Sequence, residues 1–92
     1  MRFSPIRLLL DGSRTARAIR AIRRGSSDRE ELLLLLDRLT NQREQVPDRH
    51  LWWILDATEP HVQVSETDAD RALFSEIHRA ALWELQSRYR SV

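Results

Sequence analysis

Lysine and cysteine are both missing from this 92-residue chain. Without cysteine there are no disulfides, no thiolate zinc site and no cysteine nucleophile. Two glycines and three prolines are too few for the many tight turns of a small all-β fold. No apolar run exceeds five residues, far below the ~18 that would suggest a membrane span. The stretch Leu8 to Leu10 behind Arg2 and Arg7 is too short for a secretory signal. These absences predict a soluble cytoplasmic protein that does not bind membranes. The length fits a single domain, one that buries roughly 60–65% of its unfolded surface.

All fifteen positive side chains are arginine. A GC-rich genome would by itself deplete lysine, but codon bias does not sort charge along a chain. Residues 1–29 carry eight arginines against two aspartates, a balance of +6; residues 30–92 carry seven arginines against twelve acids, or −5. The net charge of +1 therefore hides a basic N-terminal part and an acidic remainder. Guanidinium is planar, permanently charged and weakly hydrated, which suits it to phosphates, carboxylates and aromatic faces.

Helix punctuation predicts an all-α bundle of four to five helices, about 5–11, 13–24, 28–45, 47–58 and 67–89. Ser4-Pro5 reads as a cap followed by an N1 proline, and Gly12 as the left-handed end of the first helix. Ser13 opens the second helix and Gly25 ends it. Ser27 with Glu30 forms a capping box, reinforced by Asp28 and Glu31. Pro47 disfavours helical geometry at Val46 and suits the start of the fourth helix, which Pro60 closes. His61 to Val64 reads as an extended linker. Thr67 with Asp70 forms a second capping box.

Two segments break one-sided amphipathicity. Leu32 to Leu36 and Leu51-Trp52-Trp53-Ile54-Leu55 are apolar all round a helix, where a surface helix of a small monomer needs one stripe. The runs either pack on each other at the centre or leave part of one for an interface, with a second copy or in a partner's groove. Neighbouring Trp52 and Trp53 point about 100° apart, so they cannot share one core pocket. Exposed tryptophan is a common binding anchor.

On a helical wheel Arg14, Arg17, Arg20, Arg23 and Arg24 occupy one side of the second helix, and Ala18, Ile19 and Ile22 the other. Such a helix docks through its isoleucines and presents guanidinium outward. That face could be merely solvated, pair with acidic protein surface, or follow a phosphate backbone. Ala21 and Gly25 have the spacing of a helix-turn-helix, but the next helix opens with Asp28, Glu30 and Glu31, which would repel DNA where that motif reads bases.

Of the acids from Asp56 to Asp70, two read as helix-start residues, with no calcium-loop pattern; the alternative is that the stretch receives the basic helix of a second copy. His50, His61 and His78 lack metal-ligand spacing, and H-E-x-x-H, glycine-rich phosphate loops and G-x-S-x-G are absent. The sequence therefore predicts a non-enzymatic helical binding module without metal or cofactor: a protein–protein adaptor, an inhibitor or a subunit of a larger assembly. Trp52 and Trp53 would supply its protein interface and the arginine helix its contacts with a partner. The alternative is a nucleic-acid-binding subunit that uses the same five arginines.

Overall fold

Gly25 is the sharpest punctuation in the structure, as its sequence position predicts. It adopts φ +71°, a left-handed conformation that glycine accepts without Cβ strain. Its amide donates to Ile22 O at 3.0 Å, and the Ser26 amide donates to Ala21 O at 2.9 Å. This pair of bonds is a Schellman stop, which satisfies carbonyls that the helix end would otherwise orphan. The computed structural model describes the backbone at residues 4–26, 28–64 and 68–90, and the side chains at 14–26, 28–62 and 69–90.

Four helices form: α1 (Ser4–Arg24), α2 (Arg29–Asn41), α3 (Asp48–Val64) and α4 (Asp68–Arg90), with a 3-10 turn at Arg43–Gln45. The all-α expectation holds, but the boundaries need correcting. One continuous helix replaces the expected pair 5–11 and 13–24. Gly12 keeps helical geometry, at a cost of only about 1 kcal/mol against alanine. A glycine permits a stop without enforcing one. At α2 the cap is Asp28, whose carboxylate accepts from the Glu31 amide at 2.8 Å. Ser27 and Thr67, which open the two expected capping boxes, lie outside the described residues, and the expected cap Ser4 lies outside the described side chains.

The expected helix 28–45 divides at Gln42, and the chain swings so that Val46 enters the core in extended geometry before Pro47. At the far end of α3, Pro60 does not close the helix. The helix continues to Val64 through the expected linker at His61 to Val64. Proline removes one i to i−4 hydrogen bond and crowds the preceding turn, at about 3 kcal/mol or more in a helix interior. Tertiary contacts beyond it hold the last turn. His61 stacks on Phe74 at 4.6 Å, its Nε2 lies 3.0 Å from Ile22 O, and Val62 packs against the core.

Contacts between helices give their directions. Asp48 meets Arg88 and Tyr89, Thr58 meets His78, and His61 meets Phe74, so α3 and α4 are antiparallel. Arg29 meets Asp70 and Arg43 meets Glu84, so α2 and α4 run in the same sense. α4 packs against both α3 and α2, and α1 covers the other side of the same two helices. Ile19, Ile22, Leu51, Ile54 and Ile77 form the fully enclosed centre.

Thr58 is buried there among apolar side chains. Its hydroxyl donates to Ile54 O at 2.7 Å and lies 3.0 Å from His78 Nδ1. His78 thus adds a second partner, from α4, to a buried hydroxyl that the α3 backbone already satisfies.

Candidate functional site

The two apolar runs each bury one face. Leu32, Leu35, Leu51, Ile54 and Leu55 go into the core, while Leu33, Leu34, Trp52 and Trp53 stay outside. Trp83 joins them, so all three tryptophans are surface residues, at 54% (Trp52), 41% (Trp53) and 55% (Trp83) exposure. Each meets different neighbours. Trp52 lies beside Tyr89 on the α3–α4 side. Trp53, one residue on, packs obliquely on His50, with ring centroids 5.3 Å apart. Trp83 lies in a groove between α2 and α4 with Leu36, Leu39 and Ala80, under the Arg43 guanidinium at 5.4 Å. Trp83 was not singled out by sequence reasoning, because its local sequence reads as ordinary helix.

The arginine face of α1 divides by neighbour. Ile19 and Ile22 are buried, so the apolar side docks as the sequence predicts. Arg23 reaches across to Asp56 at 3.2 Å, an exposed ion pair. Arg20 and Arg24 project into solvent. Arg14 and Arg17 line a cleft of about 370 Å³ between α1 and α2. Its floor is Ala18 and Leu35, and its α2 wall carries Glu31, Leu34, Asp37, Arg38 and Gln42. Among the described residues, Arg14, Arg17, Arg20 and Arg24 meet no carboxylate.

A charged network fixes the C-terminal end of α4. Buried Glu84 accepts from Arg88 Nε at 2.9 Å and faces Arg43 Nε at 3.5 Å. Arg88 also donates to Asp48 and, at 2.8 Å, to Arg43 O, while the Tyr89 hydroxyl donates to Asp48 at 2.8 Å. The hydrogen bonds from Arg88 and Tyr89 hold the Asp48 carboxyl below its ordinary value. The bond to Asp48 raises the Tyr89 hydroxyl correspondingly. This cluster pins α4 to the start of α3 and to the 3-10 turn. The Glu84–Arg88 spacing of four is its only local sequence signal.

Burial, followed by the positive charges of Arg49 and Arg38, lowers the proton affinity of His50. The three histidines lie at separate packing positions. Among the described residues no three histidine, aspartate or glutamate side chains converge to hold a metal ion. No helix among the described residues is long and apolar enough to cross a membrane. Compared with protein families, with curated proteins and with solved structures, the chain matches none.

Proposed function

We propose that the protein is a non-enzymatic helical binding module, acting as an adaptor, inhibitor or assembly subunit in the cytoplasm. The observation that carries this reading is the exposure of all three tryptophans. Tryptophan offers the largest burial gain of any side chain, yet this small core is built mainly from leucine, isoleucine and alanine, with Phe74 its one aromatic among the described residues. Rigid aromatic area held outside the core is what a partner's pocket takes up, and such residues carry a disproportionate share of association energy.

Affinity capture from the native host, with wild-type protein and with Trp52→Ala, Trp53→Ala and Trp83→Ala, tests this reading. At least one substitution should weaken the captured complex by about 2–4 kcal/mol, measured by titration with the isolated partner. Undiminished affinity in all three variants would remove the tryptophans from the interface and this reading with them.

A second reading is favoured by Arg17, Arg20 and Arg24, which meet no carboxylate among the described residues. They could follow a phosphate backbone. Titration of generic DNA and RNA across salt decides it. Each glutamine substitution should flatten the slope of log affinity against log salt by about 0.7–0.9 if these arginines neutralise phosphates. No binding at ~50 mM salt, where screening is weak, leaves the protein-partner reading alone.

A further inference from the structure

Glu76 and Arg79 carry opposite charges three residues apart on α4, yet neither has an ion-pair partner among the described residues. Both are exposed and line the groove between α2 and α4. Around them charge is closed: Arg29 pairs with Asp70 at 3.6 Å, and Arg43 with Glu84 at 3.5 Å. The α2–α4 face therefore balances in charge, and apolar surface surrounds the free pair. Trp83 is 55% exposed and Leu33 48%, with Leu36 half-buried between their levels.

The spacing along α4 suits this face to its own copy. Ala72, Glu76, Arg79 and Trp83 are all exposed and follow one another at intervals of four, three and four residues. At 3.6 residues per turn they form one stripe, about 16 Å long at 1.5 Å per residue. Four-three spacing is that of a seam between helices. The order of the intervals reads the same in both directions. An antiparallel copy of α4 thus sets Glu76 opposite Arg79 and Ala72 opposite Trp83, each pair occurring twice. Ala72 is small enough for an indole to lie against it. The pairs Arg29–Asp70 and Arg43–Glu84 fix the register of α2 on α4. That register puts Leu36 level with the midpoint of Glu76 and Arg79, and Leu33 close to the level of Ala72.

We propose that the α2–α4 face is a homodimer interface, on which a second copy docks antiparallel about a twofold axis midway between Glu76 and Arg79. Glu76 pairs with Arg79 of the second copy, and Trp83 lies on Ala72 and Leu33 of the second copy. A patch complementary to itself closes at two copies. Charge complementarity selects this occupant: the face meets its own copy with each free charge answered, whereas the arginine face of α1 would repel its counterpart. The edge at Trp52 and Tyr89 gives no such selection, because Asp48 and Arg88 there already bond each other. The inference rests on reading exposed tryptophan as a docking anchor and narrows that reading to Trp83. Capture of a different protein through Trp52 or Trp53 would survive loss of the dimer, so the two fail separately.

The test is sedimentation of the full chain and its variants between about 1 µM and 1 mM. The 10.9 kDa species should give way to one of twice that mass and no larger. Trp83→Ala should weaken the dimer about thirtyfold or more. Glu76→Arg and Arg79→Glu each set like charges against each other twice in the contact, and each should weaken it about tenfold or more. Mixed in equal amounts, these two single variants should associate again, because each supplies the charge that the other needs. The double exchange Glu76→Arg with Arg79→Glu should restore the dimer as well. Rescue by mixing requires that the two positions meet between copies, which no effect within one chain reproduces.

All three substituted side chains are exposed, so the variants should keep wild-type helix content in dilute solution, which circular dichroism checks. A 10.9 kDa monomer up to ~1 mM overturns the proposal, as does assembly that continues past two copies. So does a dimer indifferent to Trp83→Ala and to both charge reversals, which would place the contact on another face. Failure of the mixed single variants to associate also overturns it. A monomer whose Trp83 is shielded only in a complex captured from the native host would assign the face to that partner and likewise overturn the proposal.

Discussion

Ile22 and Arg20 sit two positions apart on α1 and should differ sharply in what they contribute. Ile22 is fully enclosed, so Ile22→Ala removes packed methyl groups and leaves a cavity, at about 2–4 kcal/mol. Arg20 is exposed and has no carboxylate partner among the described residues, so Arg20→Gln should change folding stability by no more than about 0.5 kcal/mol. Urea denaturation of the two variants measures the contrast, and equal losses would make the arginine face structural. His50 supplies a pH signature at the same scale. Its proton affinity is lowered in the fold, so the unfolded chain binds a proton that the folded chain resists. Stability should therefore decline as pH falls below the ordinary histidine value of 6.5, and His50→Gln should flatten that decline. Melting temperatures across that interval, together with an NMR titration of His50, provide the check.

At the scale of elements, start signals and stop signals behave differently. Among the described residues, the start of α2 has one side-chain acceptor, Asp28. Asp28→Ala should cost about 1 kcal/mol in thermal unfolding, within the usual range for a lost N-cap. A loss near zero would mean that the helix start is held by tertiary contacts instead. Stops depend on the chain beyond them. Gly25 ends α1 because Ser26 and the turn into α2 complete the Schellman bonds, whereas Gly12 has helix on both sides and stays helical. Pro60 is overridden because His61 and Val62 find partners on α1, α4 and the core only if the helix continues past it.

For the whole molecule, the two oppositely charged parts do meet. Arg23–Asp56 and Arg29–Asp70 join them through exposed pairs, each of which contributes only about 0.2–1 kcal/mol and weakens with salt. Apolar burial, rather than charge attraction, therefore holds the helices together, and much apolar surface remains over. Leu33, Leu34, Trp52, Trp53, Leu82, Trp83 and Tyr89 all stay exposed on a chain of 10.9 kDa. The expected outcome is association with a second copy or with a partner, which shields at least one tryptophan from a soluble quencher. Sedimentation velocity at micromolar concentration, repeated with the captured partner, measures it. A 10.9 kDa species whose tryptophans remain equally quenchable in both preparations would contradict it.

Local sequence was enough to set the helical class, the docking side of α1 and the turn at Gly25. Each rests on interactions within a few residues, where a 3.6-residue period or one backbone conformation decides the outcome. It also marked Arg14, Arg17, Arg20, Arg23, Arg24, Trp52 and Trp53 as unlike ordinary helix residues. Which of them face solvent, which line a cleft and which are paired was settled by tertiary packing. Arg23 differs from Arg20 through Asp56, 33 residues away. The same holds for the two apolar runs. Their composition is apolar all round, yet each buries one face, and which leucines went inside was set by how the helices packed, a non-local choice that no local pattern encodes.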